Sequence, residues 1–278
     1  MKFKYLGTAA AEGFPAVFCN CNYCKEARKV RGKNIRTRSQ AIIDDKILLD
    51  FPADTYHHAL QFRLDLSKVK HILVTHSHID HFSIDDMKLR GSAYAHDMVE
   101  NKVFVYGNEG VKKVFDKAYA EMNQRIKDSY NFVVVKEYEK MFLDDYVVTP
   151  LRARHMQSEN CFIYLIQKDD ISLLYCNDTG YLYEDVFEYL SKNQIKLNFI
   201  SLDCTYVNIP IEDTGGHMGF DGCNRVVLRL KELGVINDST QVYVNHFSHN
   251  GNPLHDNLES IAKEYNMKVS FDGLELEV

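Results

Sequence analysis

The sequence has no tryptophan, only five prolines and no stretch that approaches the length of a membrane-spanning helix. Such a helix needs about 20 predominantly apolar residues, so we expect no membrane partner. The first residues, Met1–Gly7, carry charges and are not followed by an apolar run of signal-peptide length. We therefore expect a cytoplasmic protein.

An excess of basic residues is also missing. The 33 Lys and Arg residues are outnumbered by 39 Asp and Glu residues, which leaves a net charge of -6. Because nucleic-acid-binding domains display a basic patch, we expect no nucleic-acid partner. The 278 residues contain 45% hydrophobic residues and no Pro/Gly-rich linker. This composition predicts a single domain, 1–278, with a sizeable core.

The cysteines do not form the pattern of a disulfide framework. Their number is odd, seven, and three of them fall between Cys19 and Cys24. Paired spacing is typical of small secreted domains, whereas a tight cluster in a reducing compartment is typical of a metal site. Cys19, Cys21 and Cys24 therefore predict three thiolate ligands, and the other four thiols are predicted to be buried singly.

Short runs rich in Val, Ile, Leu, Phe and Tyr recur along the chain and predict strands, with helix-like stretches between them. One such stretch, Asn108–Lys127, has apolar residues at helical spacing. The pattern predicts two sheets packed face to face with helices outside. Several His and Asp residues come directly after strand-like runs, where a rigid sheet can present them.

The central motif follows the strand-like run His71–Thr75 and reads His76-Ser77-His78-Ile79-Asp80-His81. Removing four such groups from water without a partner would be costly, and a metal ion removes that cost. Imidazole and carboxylate ligands suit zinc, iron or manganese. The alternation lets His76 and His78 face one metal ion while Asp80 and His81 face a second.

This motif and four residues in a fixed order resemble the metallo-β-lactamase superfamily. The four are Asp50 after Ile47-Leu48-Leu49, then His155, Asp178 and His246, the last two closely following apolar runs. The resemblance implies an α/β protein with the αββα sandwich fold, in which two mixed sheets pack together with helices outside.

The resemblance also implies a set of ligands for two divalent metal ions, manganese or zinc, with iron as a third choice. His76, His78 and His155 would hold one ion, Asp80, His81 and His246 the other, and Asp178 would bridge them. Asp50 would orient a ligand. Two ions about 3.5–4 Å apart share a water molecule and lower its pKa towards neutrality, so a bridging hydroxide near Asp178 and Asp80 would attack the substrate.

Structural zinc is almost always four-coordinate, so the cysteine cluster needs one more ligand, for which His249 is our candidate. With it the chain resembles the PhnP-type phosphodiesterases, which act on a phosphoribosyl cyclic phosphate. Leu6-Gly7-Thr8, Ala27-Arg28 and Phe271-Asp272-Gly273 are further shared features. The resemblance implies a structural zinc, a small phosphate ester substrate and a homodimer.

Segment 82–145 is longer than that family leads us to expect. We predict an insertion here, beside the active-site mouth, where it could change the substrate.

His217 is our candidate for the group that protonates the leaving oxygen. It lies after Gly215-Gly216 at the predicted start of a helix, where the backbone can approach an anion. The family has a histidine near this point. The other interpretation is an exposed histidine at a helix start. Arg36 and Arg38 are either phosphate contacts or ordinary surface cations.

Four other functions compete with the phosphodiesterase. An oxygen-reducing di-iron enzyme is disfavoured because its motif usually carries a glutamate where His78 stands. The same fold could hydrolyse a lactone or thioester, in which case an apolar cleft and a tyrosine near the hydroxide are expected. RNA 3′-end processing is disfavoured by the acidic charge. A zinc-stabilised, non-catalytic binding module is disfavoured because no ligand position is missing.

Overall fold

Fourteen strands are found in the computed structural model, which describes residues 1–91 and 93–278. In chain order they are β1 Lys2–Gly7, β2 Gln40–Ile43, β3 Ile47–Leu49, β4 His71–Leu73, β5 Val103–Gly107, β6 Tyr130–Val134, β7 Met141–Leu143, β8 Tyr146–Arg152, β9 Phe162–Lys168, β10 Ile171–Cys176, β11 Phe199–Asp203, β12 Gln241–Asn245, β13 Lys268–Val269 and β14 Glu275–Glu277.

The strands form two seven-stranded sheets with matching organisation. The first has the order β14-β1-β2-β3-β4-β5-β6 and the second the order β13-β12-β11-β10-β9-β8-β7. In the first sheet β14 to β3 are antiparallel and β3 to β6 are parallel. In the second, β7 to β10 are antiparallel and β10 to β13 are parallel. Both sheets therefore have adjacent parallel strands whose carboxyl ends can carry a site.

The core between the sheets is largely aromatic. Phe3 of β1 and Phe199 of β11 face each other with ring centroids 4.8 Å apart. Tyr5 donates a hydrogen bond of 2.8 Å to Ser201 across the same interface. Strand β9 shows why the sequence reads as continuously apolar there. Alternate residues point to opposite faces, so Phe162 and its even-numbered neighbours fill this core while the odd-numbered ones pack under the helices.

Seven helices lie among the described residues: α1 Asn22–Val30, α2 Thr55–Phe62, α3 Glu109–Glu121, α4 Gln124–Asp128, α5 Glu184–Lys192, α6 Phe220–Glu232 and α7 His255–Glu264. Helices α3 and α4 bury their apolar faces on the outer face of the first sheet. Helices α5, α6 and α7 do the same on the second sheet. This arrangement confirms the predicted α/β sandwich of two mixed sheets with helices outside.

The predicted helix over Asn108–Lys127 is two helices. Asn108 caps α3 by accepting a hydrogen bond from the Val111 amide at 2.9 Å. The chain leaves the helix at Met122 (φ -73°, ψ 146°), and Asn123 then caps α4 through the Ile126 amide. Asparagine favours helix N-caps because its side chain replaces a missing backbone partner, so Asn123 starts a new helix.

Most of segment 82–145 belongs to the sandwich. It supplies β5 and β6, which extend the first sheet beside β4, and β7 at the edge of the second sheet. That the segment is an insertion, and that it lies beside the active-site mouth, stay predictions.

Within the described residues, no helix combines the length and the apolar character needed to cross a membrane.

Candidate metal centre

Three residues of the site adopt a left-handed backbone conformation directly after a strand. Asp50 follows β3 with φ 66°, Asp178 lies just beyond β10 with φ 47°, and His246 follows β12 with φ 62°. Such values are uncommon outside glycine and often mark functional positions. The chain therefore turns sharply at the carboxyl ends of these strands and presents each side chain above the sheet edge.

One ligand cluster is made of three imidazoles and one carboxylate. His78 Nδ1 lies 2.9 Å from His76 Nε2 and 3.2 Å from His155 Nε2. Asp178 Oδ2 lies 3.4 Å from His76 Nε2 and 3.5 Å from His155 Nε2. These four groups come from three separate segments and converge on one point.

A second cluster lies on the other side of Asp178. Asp178 Oδ1 is 2.7 Å from His246 Nε2 and 3.2 Å from His81 Nε2. Asp80 Oδ2 completes the group at 3.3 Å from His81 Nε2. The two carboxylate oxygens of Asp178 therefore face different clusters, which is the arrangement expected of a bridging ligand.

The donor set fits divalent metal ions. His81 Nε2, His246 Nε2 and Asp178 Oδ1 are buried atoms without a partner in hydrogen-bond geometry, and unpaired buried polar atoms are costly. Burial alone would raise the pKa of Asp178, but the facing His246 and His81 hold it well below its usual range.

The two ligand clusters contain five histidines. Four of them are oriented by a contact on the ring nitrogen that points away from the clusters. The partners of these Nδ1 atoms are Thr75 Oγ1 for His76 (3.0 Å), Asp50 Oδ2 for His81 (2.7 Å), the Gly216 carbonyl for His155 (3.2 Å) and Thr205 Oγ1 for His246 (2.8 Å). Such outer contacts fix the tautomer and the ring orientation of a metal ligand. Asp50 has the position expected of it, fully buried behind His81.

His217 lies beside both clusters and contacts them through its ring. The ring stacks on His246 with centroids 5.6 Å apart and meets His155 edge-on at 4.8 Å. Its Nδ1 lies 2.7 Å from Oδ2 of the buried Asp203. Burial opposes the charged imidazolium, but the Asp203 carboxylate outweighs that effect and raises the pKa of His217 to about 9.

Cys19, Cys21 and Cys24 lie together with His249. His249 Nδ1 lies 3.4 Å from Cys19 Sγ and 3.8 Å from Cys21 Sγ, and one ligand atom each from Cys19, Cys21, Cys24 and His249 lie within 4.8 Å of one another. Burial acts against the Cys21 thiolate, but the His249 contact helps to lower the pKa of Cys21 to about 6. No described cysteine forms a disulfide.

A cavity of about 270 Å³ opens over the two clusters. Its lining combines the ligands with neighbouring residues from the chain start and from the ends of β11 and β12. The non-ligand lining residues are Ala10, Ala11, Glu12, Thr205, Tyr206, His217, Ser248 and Asn250. The described lining contains no Lys or Arg, and His217 is the histidine in it that belongs to neither cluster.

Comparison with known proteins identifies the family. Residues 46–247 match the family described as the β-lactamase superfamily domain, which is well over half of the chain. The chain belongs to the metallo-β-lactamase superfamily.

Two solved structures of the superfamily resemble the whole chain. One is a diphosphatase of the PhnP family, with a TM-score of 0.74, 21% identity and coverage of 100% of this chain and 97% of that one. The other is Zn²⁺-bound PqqB from Methylobacterium extorquens, with a TM-score of 0.74, 16% identity and full coverage of both chains. Similarity at this level of identity shows the fold.

A ribonuclease Z from Halalkalibacterium halodurans is 25% identical over 173 residues, which are 61% of this chain. The match spans half the length of that curated relative.

Sequence reasoning missed two carboxylates of this superfamily site. Asp203 ends the apolar strand β11, as Asp50 follows β3, and that shared context was the available signal. Glu159 accepts hydrogen bonds from the Ser77 amide at 2.9 Å and from Asn108 Nδ2 at 2.8 Å. Nothing in its local sequence marks it.

Both interpretations of Arg36 are wrong. Its side chain is 2% exposed and donates hydrogen bonds to Thr8 and to the Ser270 carbonyl. Arg38 pairs with Asp54 at 3.2 Å.

Proposed function

We propose that this protein is a phosphodiesterase that cleaves a small or cyclic phosphate ester. The observation that carries the proposal is His217 beside the two ligand clusters, with Nδ1 held 2.7 Å from Asp203. The Asp203 carboxylate raises the pKa of His217 to about 9 against the effect of burial, which favours the protonated imidazole. An alkoxide leaving group needs a proton as its bond to phosphorus breaks, and Nε2 of His217 is the ring nitrogen left to give it.

The ligand clusters would hold two divalent metal ions, manganese or zinc. When bound, such a pair supplies a water of lowered pKa and binds the phosphate oxygens. Asp178 spans the two clusters, and Asp80 completes the second one at the edge of the cavity. The cysteine cluster with His249 would hold a structural zinc.

The size of the cavity and the chemistry of two relatives support a small phosphate ester. The cavity of about 270 Å³ is smaller than the 300–1,000 Å³ typical of drug-sized ligands. The two relatives named for phosphate chemistry, a ribonuclease and a diphosphatase, support a phosphorus–oxygen bond as the bond that breaks. His217 supplies positive charge in an otherwise acidic lining that includes Glu12.

The deciding test is hydrolysis of a chromogenic phosphodiester by the manganese-reconstituted protein, with metal content measured in parallel. We expect turnover that collapses in Asp80→Asn, because that change removes an anionic ligand from the second cluster. Asp116→Asn is the matched control, since Asp116 is exposed on α3 and pairs with Lys112. If the metal-loaded protein turned over no aryl, alkyl or cyclic diester, the proposal that it is a phosphodiesterase would be wrong.

A lactone or thioester hydrolase is the second candidate, because Tyr206 and the methyl groups of Ala10 and Ala11 line the cavity. Lactones and thioesters are tested in the same assay. A precursor tRNA is included because of the similarity to ribonuclease Z, and its selective cleavage would overturn the small-substrate proposal.

The homodimer, the cytoplasmic location and the native metals stay predictions.

A further inference from the structure

We propose that Glu159 is a positioning residue for the first ligand cluster and holds the backbone of His78. The proposal rests on the two-metal site proposed above, and it does not depend on which ester is cleaved. It starts from a difference among the five histidines. In the described part of the chain, His78 alone has no hydrogen-bond partner on the nitrogen that points away from the clusters.

The ring of His78 packs edge-on against the rings of His76 and His155, with centroids 4.6 and 5.0 Å apart, and outside the cluster its position depends on its backbone. Its Nδ1 faces His76 and His155, and its side chain is exposed. An exposed side chain without such a contact keeps its position only if the adjacent peptide units are fixed. Ser77, between His76 and His78, is the residue whose peptide unit determines that position.

Glu159 binds Ser77 at two points. Its Oε1 accepts the hydrogen bond from the Ser77 amide at 2.9 Å, and its Oε2 accepts one from the Ser77 hydroxyl. Bonds from neutral donors to a carboxylate are roughly twice as strong as bonds between neutral groups. The carboxylate therefore ties the loop of His76 and His78 to the loop of His155, which precedes Glu159 by four residues. We call this contact of Glu159 with Ser77 the clamp.

Helix α3 anchors the clamp from the other side. Asn108, the 4% exposed N-cap residue, donates from Nδ2 to Glu159 Oε1 at 2.8 Å and to the Asn160 carbonyl at 2.8 Å. The Glu159 carboxylate also lies at the amino-terminal end of this helix, which favours negative charge. Segment 82–145 is thus linked indirectly to the first ligand cluster, from Asn108 through Glu159 to Ser77.

Gly110 makes room for this arrangement. A Cβ atom at position 110 would lie 2.5 Å from both Cδ and Oε2 of Glu159. A real Cβ cannot approach a carboxylate so closely, so Gly110→Ala should push the carboxylate away from Ser77 while leaving its charge in place. The chain thus offers two independent ways to release the same clamp.

The experiment counts the zinc ions bound per chain of the full-length protein as a competing chelator is raised. We expect Glu159→Ala to release one catalytic ion at a chelator strength about 10–100-fold lower than the wild type, the usual effect of losing an outer contact. The other catalytic ion and the structural zinc should be unmoved. Gly110→Ala should reproduce the result, and Glu159→Gln should be intermediate because its carbonyl oxygen still accepts from the Ser77 amide.

The control variants identify the ion and separate positioning from general stability. In a His155→Ala background, Glu159→Ala should cause little further loss, because the first cluster is already damaged. Asp116→Asn on α3 should bind like the wild type. With the structural zinc kept and the catalytic ions removed, Gly110→Ala and Glu159→Gln should unfold within about 4 °C of the wild type treated in the same way.

The positioning role would be overturned if both catalytic ions were bound more weakly to the same extent. It would also be overturned if either Glu159→Ala or Gly110→Ala bound both ions as tightly as the wild type. A wild type that binds a single catalytic ion would instead contradict the two-metal proposal, and the clamp is then judged on the affinity of that ion. If Glu159→Ala does not fold, Gly110→Ala and Glu159→Gln decide the outcome alone.

Discussion

Asp50 and Asp203 occupy equivalent places in the two halves of the sandwich. Each is fully buried and lies at the carboxyl end of a parallel strand, β3 in one sheet and β11 in the other. One oxygen of each accepts bonds from the amide and hydroxyl of a threonine, Thr75 or Thr205. The other oxygen lies 2.7 Å from a histidine Nδ1.

The difference lies on the far side of the two imidazoles. Nε2 of His81 faces Asp178 and Asp80 inside a ligand cluster, and its side chain is 0% exposed. The side chain of His217 is 20% exposed and borders the cavity. The same aspartate–histidine contact therefore prepares a metal ligand in one half and, in our proposal, a proton donor in the other.

The largest effect is expected when His217, the more exposed of the two histidines, is replaced. His217→Ala should lower kcat for an alkyl phosphodiester by about 10²–10⁴-fold, the usual contribution of a general acid. The loss should be smaller for a nitrophenyl diester, whose leaving group needs no proton. Metal content should stay at the wild-type level. An equal loss on both substrates would contradict the role of proton donor.

The next effect separates the two aspartates by one substitution. Asn at position 50 would donate to Nδ1 of His81, so the ring proton would move to Nε2, the nitrogen that must bind metal. We expect Asp50→Asn to weaken metal binding by about 10–100-fold. Activity should recover when manganese is added in excess. Failure of excess metal to restore activity would show that Asp50 does more than orient His81.

Asp203→Asn is the matched variant in the other half. It also places a donor against Nδ1, but here it removes the charge that keeps His217 protonated. We expect a loss of roughly ten-fold to a hundred-fold on alkyl diesters, less than for His217→Ala because an imidazole remains. Excess manganese should not restore it. Recovery with metal would place His217 among the ligands instead.

The sequence predicted both histidines of this comparison, His81 and His217, but only one of the two aspartates, Asp50. His76 to His81 lie within six residues, and Asp50 was recognised because it follows an apolar run ahead of them. Asp203 follows a similar run, Phe199–Leu202, but its histidine lies 14 residues further on in an irregular loop. A local pattern does not show which histidine a strand-end aspartate will meet.

Other features depended on packing between distant segments. Glu159 meets Ser77 across 82 residues, and Arg36 is buried because Thr8, Ser270 and His255 close around it. The sandwich itself was predictable because strands, helices and ligand order all indicated the same fold. Long-range polar contacts leave no periodicity in the chain, so sequence reasoning had no signal for them.

The smallest effect is expected from the two threonines. Thr75→Val and Thr205→Val keep the side-chain shape and remove one hydroxyl each, which leaves buried groups unpaired at a cost of about 1–3 kcal/mol in unfolding free energy. Both should be destabilised similarly in urea, because Thr75 Oγ1 contacts His76 and Thr205 Oγ1 contacts His246.

Their kinetics should nevertheless differ. Thr205 Oγ1 also lies 3.2 Å from His217 Nδ1, whereas Thr75 Oγ1 lies 3.4 Å from His81 Nδ1, a nitrogen already held by Asp50. Thr205→Val should therefore slow alkyl diesters more than nitrophenyl diesters, and Thr75→Val should slow both equally through weaker metal binding. If the two variants instead slow the alkyl and the nitrophenyl diesters in the same ratio, Thr205 has no separate effect on His217. The two halves would then differ only in their histidines.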